Sequence, residues 1–181
     1  MLRGLMSCRA LAGDRRGAVA VEFALVMPML LVLYLGGFAI SEAASTWRKL
    51  TDATSQITSV TGQFTSMQKS DTQGVMAAAA QIMAPYDTST LKEVMTLVAV
   101  DANGKATVTW SQAYNGGTAL AKTTVVTLPT GLAQPSTYVI WIQTSYTYTA
   151  VVGVSYVPAI SMSTQLYGLP RSSASIPCSD C

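Results

Sequence analysis

A short group of residues near the N-terminus has the types and spacing to do chemistry. Arg15 and Arg16 precede Gly17, and the apolar run that follows carries one charged residue, Glu22. If the chain were cut after Gly17, Ala18 would offer a free α-amino group. A carboxylate in this register can pair with the amine of a neighbouring subunit, which offsets the desolvation of both charges in an apolar bundle. The alternative is an ordinary interfacial glutamate beside an uncut anchor.

A second group lies at the other end of the chain, where Cys178 and Cys181 enclose Ser-Asp. One such pair supplies two metal ligands, whereas a structural zinc site uses four. A redox motif of this spacing would open a helix after a strand. We therefore expect a local disulfide that pins the tail, with intermolecular pairing as the alternative. Removal of the basic head, which holds Cys8, would leave an even number of cysteines, as an oxidising compartment favours.

Nothing else in the sequence predicts catalysis. The chain has no histidine, the commonest general base and metal ligand. It also has no Gly-x-Ser-x-Gly, no P-loop and no dinucleotide-binding glycine pattern. We expect no enzymatic activity, no metal and no cofactor.

The positive charge is confined to the head of the chain. The net charge is +2, from 11 basic and 9 acidic residues. Ahead of residue 18 lie four arginines and a single acid: Arg3, Arg9, Arg15, Arg16 and Asp14. Beyond them, seven basic residues face eight acidic ones, a balance of −1. Because a nucleic-acid-binding domain keeps its basic patch in the folded part, nucleic acid is not an expected partner.

Residues 18–40, AVAVEFALVMPMLLVLYLGGFAI, are expected to span a membrane. A helix of this length extends roughly 34 Å, enough for a hydrocarbon core of about 30 Å. Residues 1–17 form a basic leader whose arginines stay on the cytoplasmic side, so the rest of the chain is translocated. A secretory signal peptide cut near residues 39–45 is a further hypothesis, but the apolar run exceeds the 7–15 residues typical of such peptides.

The segment 41–90 is expected to be helical and amphipathic. Apolar residues recur at heptad spacing, which predicts one helix running out of the membrane: Ala43, Leu50, Ile57 and Phe64, with Ala53, Val60 and Met67 three positions later. This stripe packs either on the protein's own domain, the favoured reading, or against neighbouring subunits. A second helical run is predicted over Gly74–Ala84, with Ser70 and Asp71 before it and Pro85 after it.

The pattern over 91–181 is that of β-strands. Strands are predicted at 94–100, 106–110, 123–128, 138–148 and within 159–167, with an Asn-Gly hairpin signal between the first two. The aromatic residues of this region are expected in core and cross-strand packing. The predicted fold is α+β: a long N-terminal helix, membrane-spanning then amphipathic, packed on a C-terminal antiparallel β domain.

The N-terminal arrangement resembles the class III signal sequences of type IV pilins. More narrowly, it is similar to TadE-like pseudopilins of the tight-adherence (Tad, Flp pilus) system. The residues that carry the resemblance are Arg15–Gly17, Val21–Val26 and Pro28, with a looser likeness at Ile160–Ser163 and Pro170-Arg171. The family often ends its apolar run with Gly-x-x-Glu, where this chain has Gly-Gly-Phe-Ala-Ile-Ser-Glu.

The resemblance implies processing and assembly roles for these residues. A prepilin peptidase would cut between Gly17 and Ala18, and Glu22, Phe23 and Pro28 would act in assembly. The partners would be other pilins and pseudopilins of the Tad apparatus. The protein would be a single-pass protein of the bacterial inner membrane, and its entry into a surface adhesion pilus is left open. The alternative function is a permanently anchored envelope protein whose β domain binds cell wall or glycan.

Overall fold

The structure is a computed structural model that describes residues 16–150 and 158–181. Within them the chain forms a long helix, a short helix and a five-stranded sheet, which confirms the predicted α+β class. The elements are α1 (Arg16–Thr61), α2 (Lys69–Ile82), β1 (Lys92–Val100), β2 (Ala106–Tyr114), β3 (Val125–Val126), β4 (Thr137–Tyr148) and β5 (Ile160–Gly168).

Helix α1 is 46 residues long and has two halves of different character. Its N-terminal half is apolar and exposed, and none of its most apolar 18-residue window is buried by the other described residues. By length and composition this helix can cross a membrane. Its C-terminal half packs on β4 and β5 of the sheet.

The apolar stripe of α1 packs on the protein's own domain. Leu50, Ala53 and Ile57 are buried in the core, as the heptad spacing predicts. Val60 does not follow the stripe, since 42% of its surface is exposed. The helix ends at Thr61, so the last two apolar positions of the predicted repeat, Phe64 and Met67, reach the core from the turn that follows.

Helix α2 begins at Lys69, five residues before the predicted start, and ends at Ile82. The Asp71 carboxylate accepts a hydrogen bond from the backbone N–H of Gln68 (2.8 Å), which is the return half of a capping box. This cap allows the helix to begin before Gly74, the residue at which apolar periodicity becomes visible in the sequence.

The sheet has the strand order β3-β2-β1-β4-β5 and every pair is antiparallel. The turn between β1 and β2 forms at the predicted Asp101–Gly104 sequence. The Asp101 carboxylate accepts the N–H groups of Asn103 and Lys105, both at 2.8 Å, and Gly104 takes a positive φ of 80°. Each strand overlaps its predicted range.

The main core lies between the two helices and one face of the sheet. There α1 packs on β4 and β5, while α2 lies against β2. The opposite, outer face is partly covered by the connection 115–136, whose Val126 and Leu128 pack on buried Val98 and Val139. The same face carries Trp141 stacked on Tyr167, with ring centroids 5.9 Å apart, and both rings are partly buried.

Candidate assembly interface

The exposed apolar half of α1 forms the candidate assembly interface, defined here as residues 17–40. Large apolar side chains are exposed along its length: 63% of Phe23, 75% of Leu25 and 73% of Ile40. Glu22 is exposed among them and is the one charged residue of this segment. The predicted assembly residues are thus together on the exposed half of a helix whose Glu42, further along, hydrogen-bonds to Tyr148 of the sheet.

Gly17 and Ala18 lie in the first turn of α1. A side chain added at Gly17 would meet nothing within 4 Å in the described structure, so the backbone is open around this peptide bond. The first N–H groups of a helix have no intrahelical partners, and glycine weakens a helix by roughly 0.5–1 kcal/mol relative to alanine. The bond is therefore placed where a helix unwinds most easily.

Pro28 lies within α1, and the helix continues through it. Its ring removes one helical hydrogen bond and leaves the carbonyl of Ala24 without that partner. Pro28 is exposed among the described residues.

The domain is tied to α1 close to the end of the apolar segment. The Tyr148 hydroxyl donates a hydrogen bond of 3.0 Å to the carboxylate of Glu42. Burial, together with this hydrogen bond and the nearby carboxylate, raises the pKa of Tyr148 to about 12. Three turns further on, the hydroxyls of Thr54 and Thr144 are 3.0 Å apart inside the core. These two contacts fix β4 against the helix.

A buried carboxylate lies beneath this junction and was not singled out from the sequence. Glu93 is fully buried on β1, between Tyr114 of β2 and Thr144 of β4. Neither carboxylate oxygen has a hydrogen-bond partner among the described residues. Desolvation raises the pKa of Glu93 to about 8. The signal in the sequence was a glutamate on the face of β1 that Met95 and Leu97 share.

The C-terminal tail is anchored against the turn between α1 and α2. Met67 donates its N–H to the carbonyl of Pro177 (2.9 Å), and Lys69 donates its N–H to the Asp180 carboxylate (2.8 Å). The indole of buried Trp110 donates to the carbonyl of Ile176 (2.8 Å). The Asp180 carboxylate lies at the N-terminus of α2, where the positive end of the helix dipole favours a negative charge.

Cys178 and Cys181 are joined by a disulfide in the structure, with Cα atoms 5.5 Å apart. With Asp180 they form a compact group of potential metal-ligating atoms. Both sulfur atoms are engaged in the disulfide, and thiolates are the form that binds metal. The group therefore fits a covalent pin for the tail better than a metal centre.

Comparison with known proteins gives one family. Residues 17–58 match the family model described as TadE-like protein. The match spans the whole candidate assembly interface and the part of α1 that packs on the sheet, and it confirms the resemblance identified from the sequence. No curated protein and no solved structure shows a significant match to the chain.

Proposed function

Because the segment 17–58 matches the TadE-like family, we propose that this protein is a minor pilin or pseudopilin that takes part in assembling a Tad (Flp) pilus. The observation that carries the proposal is Glu22, a lone carboxylate on an exposed apolar helix within the matched segment. Its partners are the other pilins and pseudopilins of the same apparatus, and its place is the inner membrane with the β domain outside the cytoplasm.

Processing by a prepilin peptidase is the first step of the proposed function. Cleavage after Gly17 removes the arginine-rich leader and leaves the α-amino group of Ala18 at the start of the helix. The position of the bond in the first turn supports this step, since a protease needs locally unwound backbone.

Pairing between Glu22 and a neighbour's Ala18 amine is the second step. Four residues of helix separate them, a rise of about 6 Å, so the pair forms when adjacent helices are staggered by about that distance. The match of charges stabilises this stagger and penalises others, because an unpaired charge in an apolar bundle is costly. The carboxylate thus sets the relative height of two subunits.

The bulk of the domain supports a minor role rather than that of the main shaft subunit. The major Flp subunit of the resembling family is much shorter than this chain. Here a five-stranded sheet and a second helix are clamped to α1 from residue 42 onwards. Such a domain leaves no room for the close helix packing of a thin shaft.

Substitution of Glu22 tests the proposed function. Glu22→Ala should keep insertion and cleavage but abolish assembly, and Glu22→Asp should be intermediate because its side chain is shorter. Asp52→Ala is the matched control, since it removes an exposed carboxylate from the same helix outside the apolar segment. An immunoblot for processed protein and a count of surface pili provide the two readouts.

Normal piliation with Glu22→Ala as the only copy would contradict the pairing role. The alternative hypothesis, a permanently anchored envelope protein, predicts that result. Loss of cleavage in the same variant would instead assign Glu22 to recognition by the peptidase.

A further inference from the structure

Strand β5 forms an open edge of the sheet. It is nine residues long, pairs with β4 in continuous register from Ile160 to Gly168, and no described segment pairs with its other side. It holds no charged residue and no proline. Edge strands are usually protected by charges, prolines, bulges or shortness. At the opposite edge, β3 is only two residues long and pairs with Ala106 and Thr107 of β2, so the rest of β2 also borders that edge.

Grooves flank β5 on both faces of the sheet. On the outer face a groove of about 580 Å³ reaches the strand at Ser163 and Gln165. On the helix side a groove of about 270 Å³ runs between Ser55 and Ser59 of α1 and Leu166 of β5. A strand added to this edge would direct alternate side chains towards the two grooves, while its backbone would bond to the edge.

The direction of β5 restricts what can pair with it. Its first residue, Ile160, lies opposite Tyr148, which bonds to Glu42, and its last residue, Gly168, lies against Thr58. The helix between these points rises about 24 Å and the strand about 26 Å, so the two run nearly parallel. A second copy of the chain in the same membrane would present its β5 in the same direction. The β5 strands of two copies therefore cannot pair in an antiparallel arrangement.

We propose that β5 is a pairing edge for an extended segment of a different subunit anchored in the same membrane. The segment runs towards the membrane, antiparallel to β5. Lys92 and Arg171 are the charged residues that line the two grooves, and both are basic. The partner strand therefore carries a carboxylate near its N-terminal end, at the height of Arg171. The proposal rests on the proposed function only for the presence of neighbouring subunits.

Hydrogen exchange measured by mass spectrometry tests the edge directly. The full chain is compared in membranes isolated from the native host and after purification alone in detergent. Backbone amides of β5 should exchange about tenfold more slowly in the host membranes, because pairing protects the outward N–H groups. Gln165→Lys should remove this protection. Gln143→Lys is the matched control, since Gln143 is the cross-strand neighbour of Gln165, in the same groove but one strand inside the edge.

Equal exchange of β5 in the two preparations would overturn the proposal. So would protection that survives lysine at both 163 and 165, tested singly and together. Protection that both Gln165→Lys and Gln143→Lys remove, or that muramidase digestion of the wall removes, would assign the outer groove to a glycan instead. Unchanged exchange of β1 checks the fold of each variant, and Ser163→Lys replaces Gln165→Lys if that check fails. Because membranes rather than pili are used, a failure of the Glu22 experiment leaves this test intact.

Discussion

Glu93 occupies a position on β1 where strand alternation calls for an apolar side chain. Its neighbours on that face, Met95 and Leu97, are in the core. A raised pKa means that the folded state holds a proton that the unfolded chain releases near its ordinary pKa of about 4.3. The carboxyl group is therefore compatible with folding while it is protonated, and it destabilises the fold as pH rises from about 4.5 to about 8.

Replacing this residue should change how stability depends on pH. Between about pH 4.5 and about pH 8 the free energy of unfolding of the wild type should fall by about 1.4 kcal/mol per pH unit, which is roughly 3 kcal/mol by pH 7. Glu93→Gln keeps the shape without the ionisation, so it should match the wild type near pH 5 and exceed it near pH 8. Thermal unfolding of the full chain in detergent micelles from pH 5 to 8.5 measures this.

Asp52→Asn is the control for Glu93→Gln, because Asp52 is an exposed acid on α1. Its unfolding curve should follow that of the wild type at every pH. A wild-type protein whose stability is constant across the range would show that Glu93 is solvated or paired in solution.

At the scale of elements, the strands were predictable and the ends of the helices were less so. Alternation and turn residues located all five strands, since a sheet with one buried face imposes a period of two. The heptad spacing located the buried residues of α1 but not its end at Thr61. Threonines 46, 54 and 61 are also buried, which an apolar pattern cannot reveal. Two of them, Thr46 and Thr54, satisfy their hydroxyls on carbonyls one turn earlier in the helix.

The candidate site was likewise predictable from the sequence only in part. Residues 17–40 could be read directly, because the carboxylate interrupts an otherwise apolar run. The tail contacts could not, since each of the three hydrogen bonds that Trp110, Met67 and Lys69 make with the tail uses at least one backbone group, which any residue carries. Glu93 was missed because the predicted strand began at Val94, so the alternation that Met95 and Leu97 follow was not extended back to this residue.

The tail is the element whose loosening can be tested separately. Replacing Cys178 and Cys181 with serine together should cost up to about 2 kcal/mol and speed amide exchange over 176–181, with β1 and the anchor unaffected. Thiol labelling of native protein with and without reductant gives the oxidation state. Free thiols at both positions in native material would contradict a structural disulfide, and unchanged exchange in the double variant would show that the tail is held by its hydrogen bonds alone.

At the scale of the whole molecule, the mature chain is predicted to start at Ala18. Intact mass and N-terminal sequencing of protein from the native host measure this directly. The physical reason is that the leader holds four arginines and stays in the cytoplasm, whereas the helix that follows must leave with the domain. A start at Met1, or one near residue 42, would contradict both the processing and the proposed function.

The continuity of helix α1 across Pro28 has a mechanical consequence. The helix is continuous from the apolar segment into the part that packs on the sheet. The apolar segment therefore carries the β domain on the same helix. Each residue of helix adds about 1.5 Å of height and about 100° of rotation. The number of residues between Glu22 and Glu42 therefore sets the height of the sheet above the bilayer. It also sets the direction, around the helix axis, in which the β5 edge faces. A movement of the apolar end along or around the helix axis would therefore move that edge with it.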